Sequence, residues 1–178
     1  SETGIFPEKI PFALNMRLPH DICAVGCRVV PDDFHSRYSS NGKTYIYKIY
    51  NSPYPDPFKE KYYLRVNRHI DVDLLNKACK HLVGEHDFAS FCASGSSVTD
   101  TVRTVFECFV ERQGDDVIIS ITANGFLYNM VVGTLLDVNS GKFSPDSVPD
   151  ILKACDRSAA GFTVKPHGLY LLKVHYDI

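Results

Sequence analysis

The chain has 178 residues, 44% of them hydrophobic and 12% aromatic, enough to bury a real core in one domain or in two sharing a sheet. A formal charge of −2 excludes nucleic-acid binding by bulk positive charge, so any such contact has to come from local patches. No run approaches membrane-spanning length, the first residues lack the regions of a signal peptide, and the six cysteines (Cys23, Cys27, Cys79, Cys92, Cys108, Cys155) form no C-x-x-C pair, which predicts reduced thiols in a soluble, cytoplasmic protein without a membrane partner.

In chain order, residues 1–11 carry Gly4, Pro7 and Pro11 and read as an extended lead-in. Residues 12–18 suit a short helix stopped by Pro19, and residues 21–30 read as a strand ended by Pro31. Asn41-Gly42 signals a turn, and the alternation from Lys43 to Tyr50 suits a half-buried strand. After a loop with Pro53, Pro55 and Pro57, residues 61–66 predict a second strand, antiparallel to the first. Residues 71–84 carry a helix signature: Asp71 at the N-cap, apolar residues at 74, 75, 78, 79 and 82, and Gly84 past the end.

Residues 102–112 and 117–123 predict two strands joined by the tight turn Gln113-Gly114-Asp115-Asp116. Apolar residues at 127, 130, 131, 134, 135 and 138 predict an amphipathic helix over 126–138. A second helix over 145–155 has Ser144 as cap and Pro145 at its first position, and residues 168–176 read as a buried strand. This mixture without regular βα alternation predicts an α+β fold, with a mixed, largely antiparallel sheet flanked by helices and no second independent domain within 1–178.

The most chemically suggestive stretch runs from Phe34 to Lys48, where aromatic rings alternate with cationic side chains. That combination suits a nucleobase held above a phosphate backbone, although each member also has a plain structural use. Tyr45 could be a strand tyrosine, His35 a surface histidine and Lys43 a solvated lysine beside a turn. The loop Gly95-Ser96-Ser97-Val98-Thr99 could approach phosphates through free amides and hydroxyls or serve as a connector, and Arg103 could pair structurally or touch a phosphate. His86-Asp87 reads as an acid/base pair or as capping residues. Asp156-Arg157 predicts an ion pair with a neighbouring segment. No cluster has metal-ligand spacing and no nucleotide-cofactor glycine loop occurs, so neither a metal nor an organic cofactor is expected.

Several phrases nevertheless stand in one order: Ala13-Leu14-Asn15, Leu18-Pro19-His20-Asp21-Ile22, Phe34-His35-Ser36-Arg37-Tyr38-Ser39, Lys43-x-Tyr45-x-Tyr47, His86-Asp87-Phe88-x-Ser90-Phe91, Arg103-Thr104, Ala123-Asn124-Gly125-Phe126-Leu127-Tyr128-Asn129-Met130-Val131, Asp156-Arg157 and His167-Gly168-Leu169. Their content and order resemble the TruA family of tRNA pseudouridine synthases, from about Ile10 onward. The resemblance implies isomerisation of uridine to pseudouridine at positions 38–40 of the tRNA anticodon stem-loop, by a homodimer without metal or cofactor. It implies that Tyr45 packs on the target uridine, that Arg37 inserts toward the space the flipped nucleotide leaves, and that Phe34, His35 and Lys43 surround them. It also implies RNA contact by Gly95, Ser96, Ser97, Val98 and Thr99, with Arg103 beside them.

Two departures accompany the resemblance. The family's nucleophilic aspartate lies in a Gly-Arg-Thr-Asp-x-Gly-Val-His phrase absent from this sequence, and Val98-Thr99-Asp100-Thr101 imitates it poorly and in the wrong place. The family also continues Met130-Val131 with an arginine and two further residues, whereas here Val132-Gly133-Thr134-Leu135 follows directly; three helical residues amount to about 300° of rotation and roughly 4.5 Å of rise. The chain is therefore expected to be the C-terminal part of such an enzyme, carrying no catalytic residue of its own. The alternative is a non-catalytic tRNA-binding module that lacks the nucleophile. A third possibility, a small-molecule enzyme using His86 and Asp87, places its ligand away from Tyr45.

Overall fold

A computed structural model describes residues 3–92, 100–127 and 131–177. The chain falls into two compact units, one up to Ser39 and one from Ser40 to Asp177.

In the first unit, Pro7–Lys9 form a 3-10 turn that leads into helix α1, Ile10–Asn15. The extended lead-in thus ends earlier than expected, because Pro7 and Pro11 fall in first-turn positions where proline's fixed φ favours a helix. Residues 21–30 do not form the expected strand; Val25 and Val29 are largely exposed. A strand needs a ladder partner, and pairing here is one residue wide: the Asn15 amide donates to the Ala24 carbonyl at 2.9 Å and accepts from its N–H at 2.7 Å. Phe34 to Ser39 make a compact turn in which His35 Nδ1 accepts the N–H groups of Arg37 (3.1 Å) and Tyr38 (3.3 Å).

The second unit is built on strand β1, Gly42–Asn51. Beyond it come β2 (Leu64–Val66), helix α2 (Val72–Lys80), β3 (Gly84–Asp87), β4 (Val102–Gln113), β5 (Asp116–Ala123), helix α3 (Val132–Asn139), helix α4 (Val148–Ala154) and β6 (Leu169–His175). The sheet order is β2-β1-β5-β4-β3, with β6 also paired to β1. All pairings are antiparallel except β1 with β2, so the α+β expectation holds in its mixed, largely antiparallel form.

The parallel β1/β2 pair corrects the expected antiparallel hairpin. The long loop between them returns the chain before β2 begins. Asn51 then fixes β2 from the end of β1, its amide donating to the carbonyls of Val66 (2.9 Å) and Arg68 (2.7 Å). β6 is not the buried strand expected, since Leu169, Leu171 and Leu172 are about half exposed. It pairs only with β1, over residues 42–47, and leaves its other edge open among the described residues.

Strand alternation puts Tyr45, Tyr47 and Ile49 on the same face as Val117, Ile119 and Ile121 of β5. That face carries the core, packed by Leu75, Ala78 and Cys79 of α2, Leu135 and Val138 of α3 and Ile151 and Leu152 of α4. Asp71 caps α2 as expected, accepting the Leu74 N–H at 2.9 Å, and Gly84 adopts φ +112 as the chain enters β3. The helix expected over 126–138 begins only at Val132; residues 128–130 lie outside the described residues. The chain enters α3 through Val131 at φ 81 and ψ −53, a backbone region that a β-branched residue occupies only when packing holds it there, and Val131 is buried.

Candidate functional site

The core face of β1 opens at its middle into a cavity of about 390 Å³. Ile119 and Ile121 of β5 form one side, and Tyr45 and Tyr47 of β1 another. Tyr45 is half-buried, and its ring meets the Phe126 ring edge-on, with centroids 4.8 Å apart and planes at 65°. Such a pair holds the Tyr45 ring in one orientation while leaving a flat π-surface for a ligand. The Asn124-Gly125 turn supplies this geometry: the Asn124 side chain accepts the Thr104 N–H at 3.0 Å, and Phe126 and Leu127 follow directly onto the cavity wall. Among the described residues, no carboxylate lines the cavity.

Val132 adds to the wall, and another side comes from Val164, Lys165, Pro166 and Leu169. Lys165 precedes Pro166 and is extended at φ −67 and ψ 146, as the residue before a proline should be. Its carbonyl accepts the Tyr47 hydroxyl, and burial pushes the Tyr47 pKa up to about 12. Gly168 lies against β1 so closely that a Cβ there would sit 2.4 Å from the Lys48 carbonyl oxygen. These two contacts clamp the wall to the strand that carries Tyr45.

Lys43 is on the same face of β1 as Tyr45, two residues away. Phe34, His35 and Arg37 belong to the first unit, in the turn already described, with the Arg37 guanidinium 5.8 Å from the Tyr38 ring centroid. Gly95, Ser96, Ser97, Val98 and Thr99 lie outside the described residues. Arg103 is mostly buried beside Gly125 and stands 3.7 Å from Asp100, an arrangement that suits structural pairing.

Asp100 itself is largely exposed and accepts the Val102 N–H at 3.0 Å, away from the cavity wall. His86 and Asp87 have separate partners. His86 Nε2 bonds the Val83 carbonyl at 3.1 Å, while Asp87 accepts from the Thr101 hydroxyl at 2.6 Å and the Ala89 N–H at 2.9 Å, which holds its carboxyl below the usual carboxylate range. They cap and brace rather than act as an acid/base pair. The ion pair expected of Asp156-Arg157 is replaced by local bonds: Asp156 caps Ser158, and Arg157 donates to the Gly161 carbonyl at 2.7 Å.

Sequence reasoning missed Tyr47, Phe126, Lys165 and Leu169 as cavity residues. Phe126 and Leu169 stood in recognised phrases without a role, and Lys165-Pro166 carried an extended-backbone signal but nothing to say what it would face.

Known proteins resemble this chain over most of its length. A tRNA pseudouridine synthase family profile matches residues 78–177. A protein of Bacillus velezensis named tRNA pseudouridine synthase A is 48% identical over 173 residues, covering 96% of this chain and 70% of that protein. Proteins of the same name from Thermoanaerobacter sp. and Bacillus subtilis are each 46% identical, covering 99% and 96% of this chain and 73% and 70% of their own lengths. The chain belongs to the tRNA pseudouridine synthase family.

Proposed function

We propose that this chain is the RNA-contacting, C-terminal part of a tRNA pseudouridine synthase that acts on uridines 38–40 of the anticodon stem-loop, and that the cavity beside Tyr45 receives the target base. The observation that carries this is the cavity itself: open to the surface, lined by aliphatic side chains and faced by a tyrosine ring that Phe126 holds in place. A uridine leaving its stack costs a few kcal/mol, and stacking on an aromatic platform offsets about 1–3 kcal/mol of it.

The isomerisation breaks the N1–C1′ bond, turns the base in place and forms C5–C1′, with the C5 proton lost and N1 protonated, so nothing is added or removed overall. An apolar cavity suits that step because a freed uracil can rotate in it without being held in one pose by wall hydrogen bonds. The nucleophilic carboxylate comes from a segment that the relatives carry beyond the residues matched here, a reading supported by a cavity wall that has no acid among the described residues. Arg37, Phe34, His35 and Lys43 approach the RNA around the flipped nucleotide, and residues 95–99 touch its backbone, while Arg103 braces the neighbouring turn through Asp100 and Gly125. The working enzyme is a cytoplasmic homodimer.

The test is tritium release from tRNA labelled at uridine C5, using the chain joined to the N-terminal segment of its relatives. Release is expected, and Tyr45→Ala should reduce kcat/KM by tenfold or more while lowering unfolding stability by only about 1–2 kcal/mol, the loss expected of a half-buried ring packed on Phe126. No release by the parent refutes the proposal; equal loss of stability and turnover makes Tyr45 a core residue.

A further inference from the structure

A second cavity of about 620 Å³ lies beside the first and shares two wall residues with it, Val164 and Lys165. Its character is different. Where the first is aliphatic and aromatic, the second is bordered by Lys59, Arg65, Lys165 and His167, against the carboxylates of Asp56 and Glu60. An RNA chain is continuous, so a base seated beside Tyr45 carries its phosphates to the rim and its neighbour beyond it. We infer that this second cavity holds the nucleotide adjacent to the target uridine, with Lys165 at the shared rim and Arg65 within binding its phosphates.

The cations divide by what already engages them. Lys59 forms an ion pair with Asp116, and its ammonium sits 4.6 Å from the Tyr50 ring centroid and 5.1 Å from that of Tyr63, so it shapes the wall. Arg65 is exposed and gives one guanidinium donor to the Pro53 carbonyl at 3.1 Å, leaving others of its five for a phosphate. Lys165 is exposed, and its ammonium has no hydrogen bond or ion pair among the described residues. Its backbone is fixed by Tyr47 and by Pro166, which anchors the root of the side chain at the boundary between the cavities. Phe162, half exposed on the second cavity's wall, offers the neighbouring base a surface to stack on. One cavity selects a base and the next holds charge, an order that matches the repeat of a nucleotide strand.

This rests on the reading of the first cavity as the uridine site, and the experiment separates the two. Binding of a fluorescent anticodon stem-loop RNA to this chain is followed by anisotropy over a salt series, for the unaltered chain and for Lys165→Ala, Lys165→Arg, Arg65→Ala, Tyr45→Ala and the control Lys61→Ala. Each lost phosphate contact should make the slope of log K against log salt shallower by about 0.7 and weaken binding roughly tenfold at low salt. Lys165→Ala and Arg65→Ala should do so, Lys165→Arg should restore the slope, and Lys61→Ala should leave it unchanged. Tyr45→Ala should weaken binding at an unchanged slope. Unchanged slopes for Lys165→Ala and Arg65→Ala with Tyr45→Ala still impaired overturn the second site and spare the uridine reading. Full binding by Tyr45→Ala overturns the uridine reading and with it the adjacency. A slope change as large for Lys61→Ala, or no binding by the unaltered chain, overturns the inference as well.

Discussion

Replacing Gly168 with alanine should loosen the site by displacing the wall beside it, with Tyr45 and Phe126 themselves unaltered. The added Cβ would lie 2.4 Å from the Lys48 carbonyl oxygen and 3.0 Å from the Tyr47 ring, where ordinary contact begins near 3.4 Å, so about 1 Å must be found. Lys48 cannot supply it, because it pairs with Ile118 of β5 in the interior of the sheet. The turn Lys165 to Gly168 has to lift instead, and the Tyr47 hydroxyl then loses the Lys165 carbonyl. Overpacking of this kind costs about 1–3 kcal/mol, and the lost hydrogen bond about 0.5–1.5 kcal/mol more. Urea unfolding should therefore show a lower midpoint at unchanged m, equivalent to about 2–4 kcal/mol, with weaker RNA binding in parallel. A midpoint within about 0.5 kcal/mol of the parent, with RNA binding intact, would refute the clamp.

Gly133 and Gly161 are where α3 meets the following segment; a Cβ at Gly133 would fall 1.7 Å from the Phe162 carbonyl oxygen and one at Gly161 2.4 Å from the Thr134 nitrogen. Alanine at either should cost about 3 kcal/mol or more, seen as a large drop in the urea midpoint, whereas alanine at exposed Gly26, with nothing within 4 Å, should not. Tyr47 ionises near 12 when folded and near 10 when unfolded, so its neutral hydroxyl contributes stability that is full below pH 10 and declines between pH 10 and 12. Tyr47→Phe should remove that part of the alkaline decline; an identical alkaline limb in the variant would contradict it. Asp87 runs in the opposite sense: its carboxyl is lowered by the Thr101 hydroxyl and the Ala89 N–H, so its contribution is present above the ordinary aspartate pKa and fades as pH falls through the lowered one. Asp87→Asn should flatten the acid limb of the stability profile. It should also move alkylation of Cys155 to lower pH, since partial burial and the Asp87 carboxylate raise that thiol; an unmoved profile would argue against the contact.

Much of this molecule was legible from local rules. Asp71 announced the start of α2, Gly114 the β4/β5 hairpin and Ser144 the turn ahead of α4, because caps and tight turns are settled by the residues that form them. The strand expected over 21–30 and the antiparallel β1/β2 pair failed because pairing is decided by segments far apart in the chain. The cavity was half legible. Tyr45 was recognisable from its motif, whereas Lys165 and Gly168 matter only because β6 folds back beside β1, a register that no local pattern encodes. Lys165 is the clearest case: its neighbour Pro166 fixed the backbone in advance, but the two cavities that meet at it exist only in the folded chain.

Photo-crosslinking reads directly where the target base sits. An anticodon stem-loop RNA carrying 5-iodouridine at position 39 is bound to the chain, irradiated and mapped by mass spectrometry. Crosslinks to Tyr45 or Phe126 are predicted, lost when Tyr45→Ala and Phe126→Ala are combined. Crosslinks confined to residues 53–63, or an unchanged pattern in the double variant, would contradict a uridine held beside Tyr45.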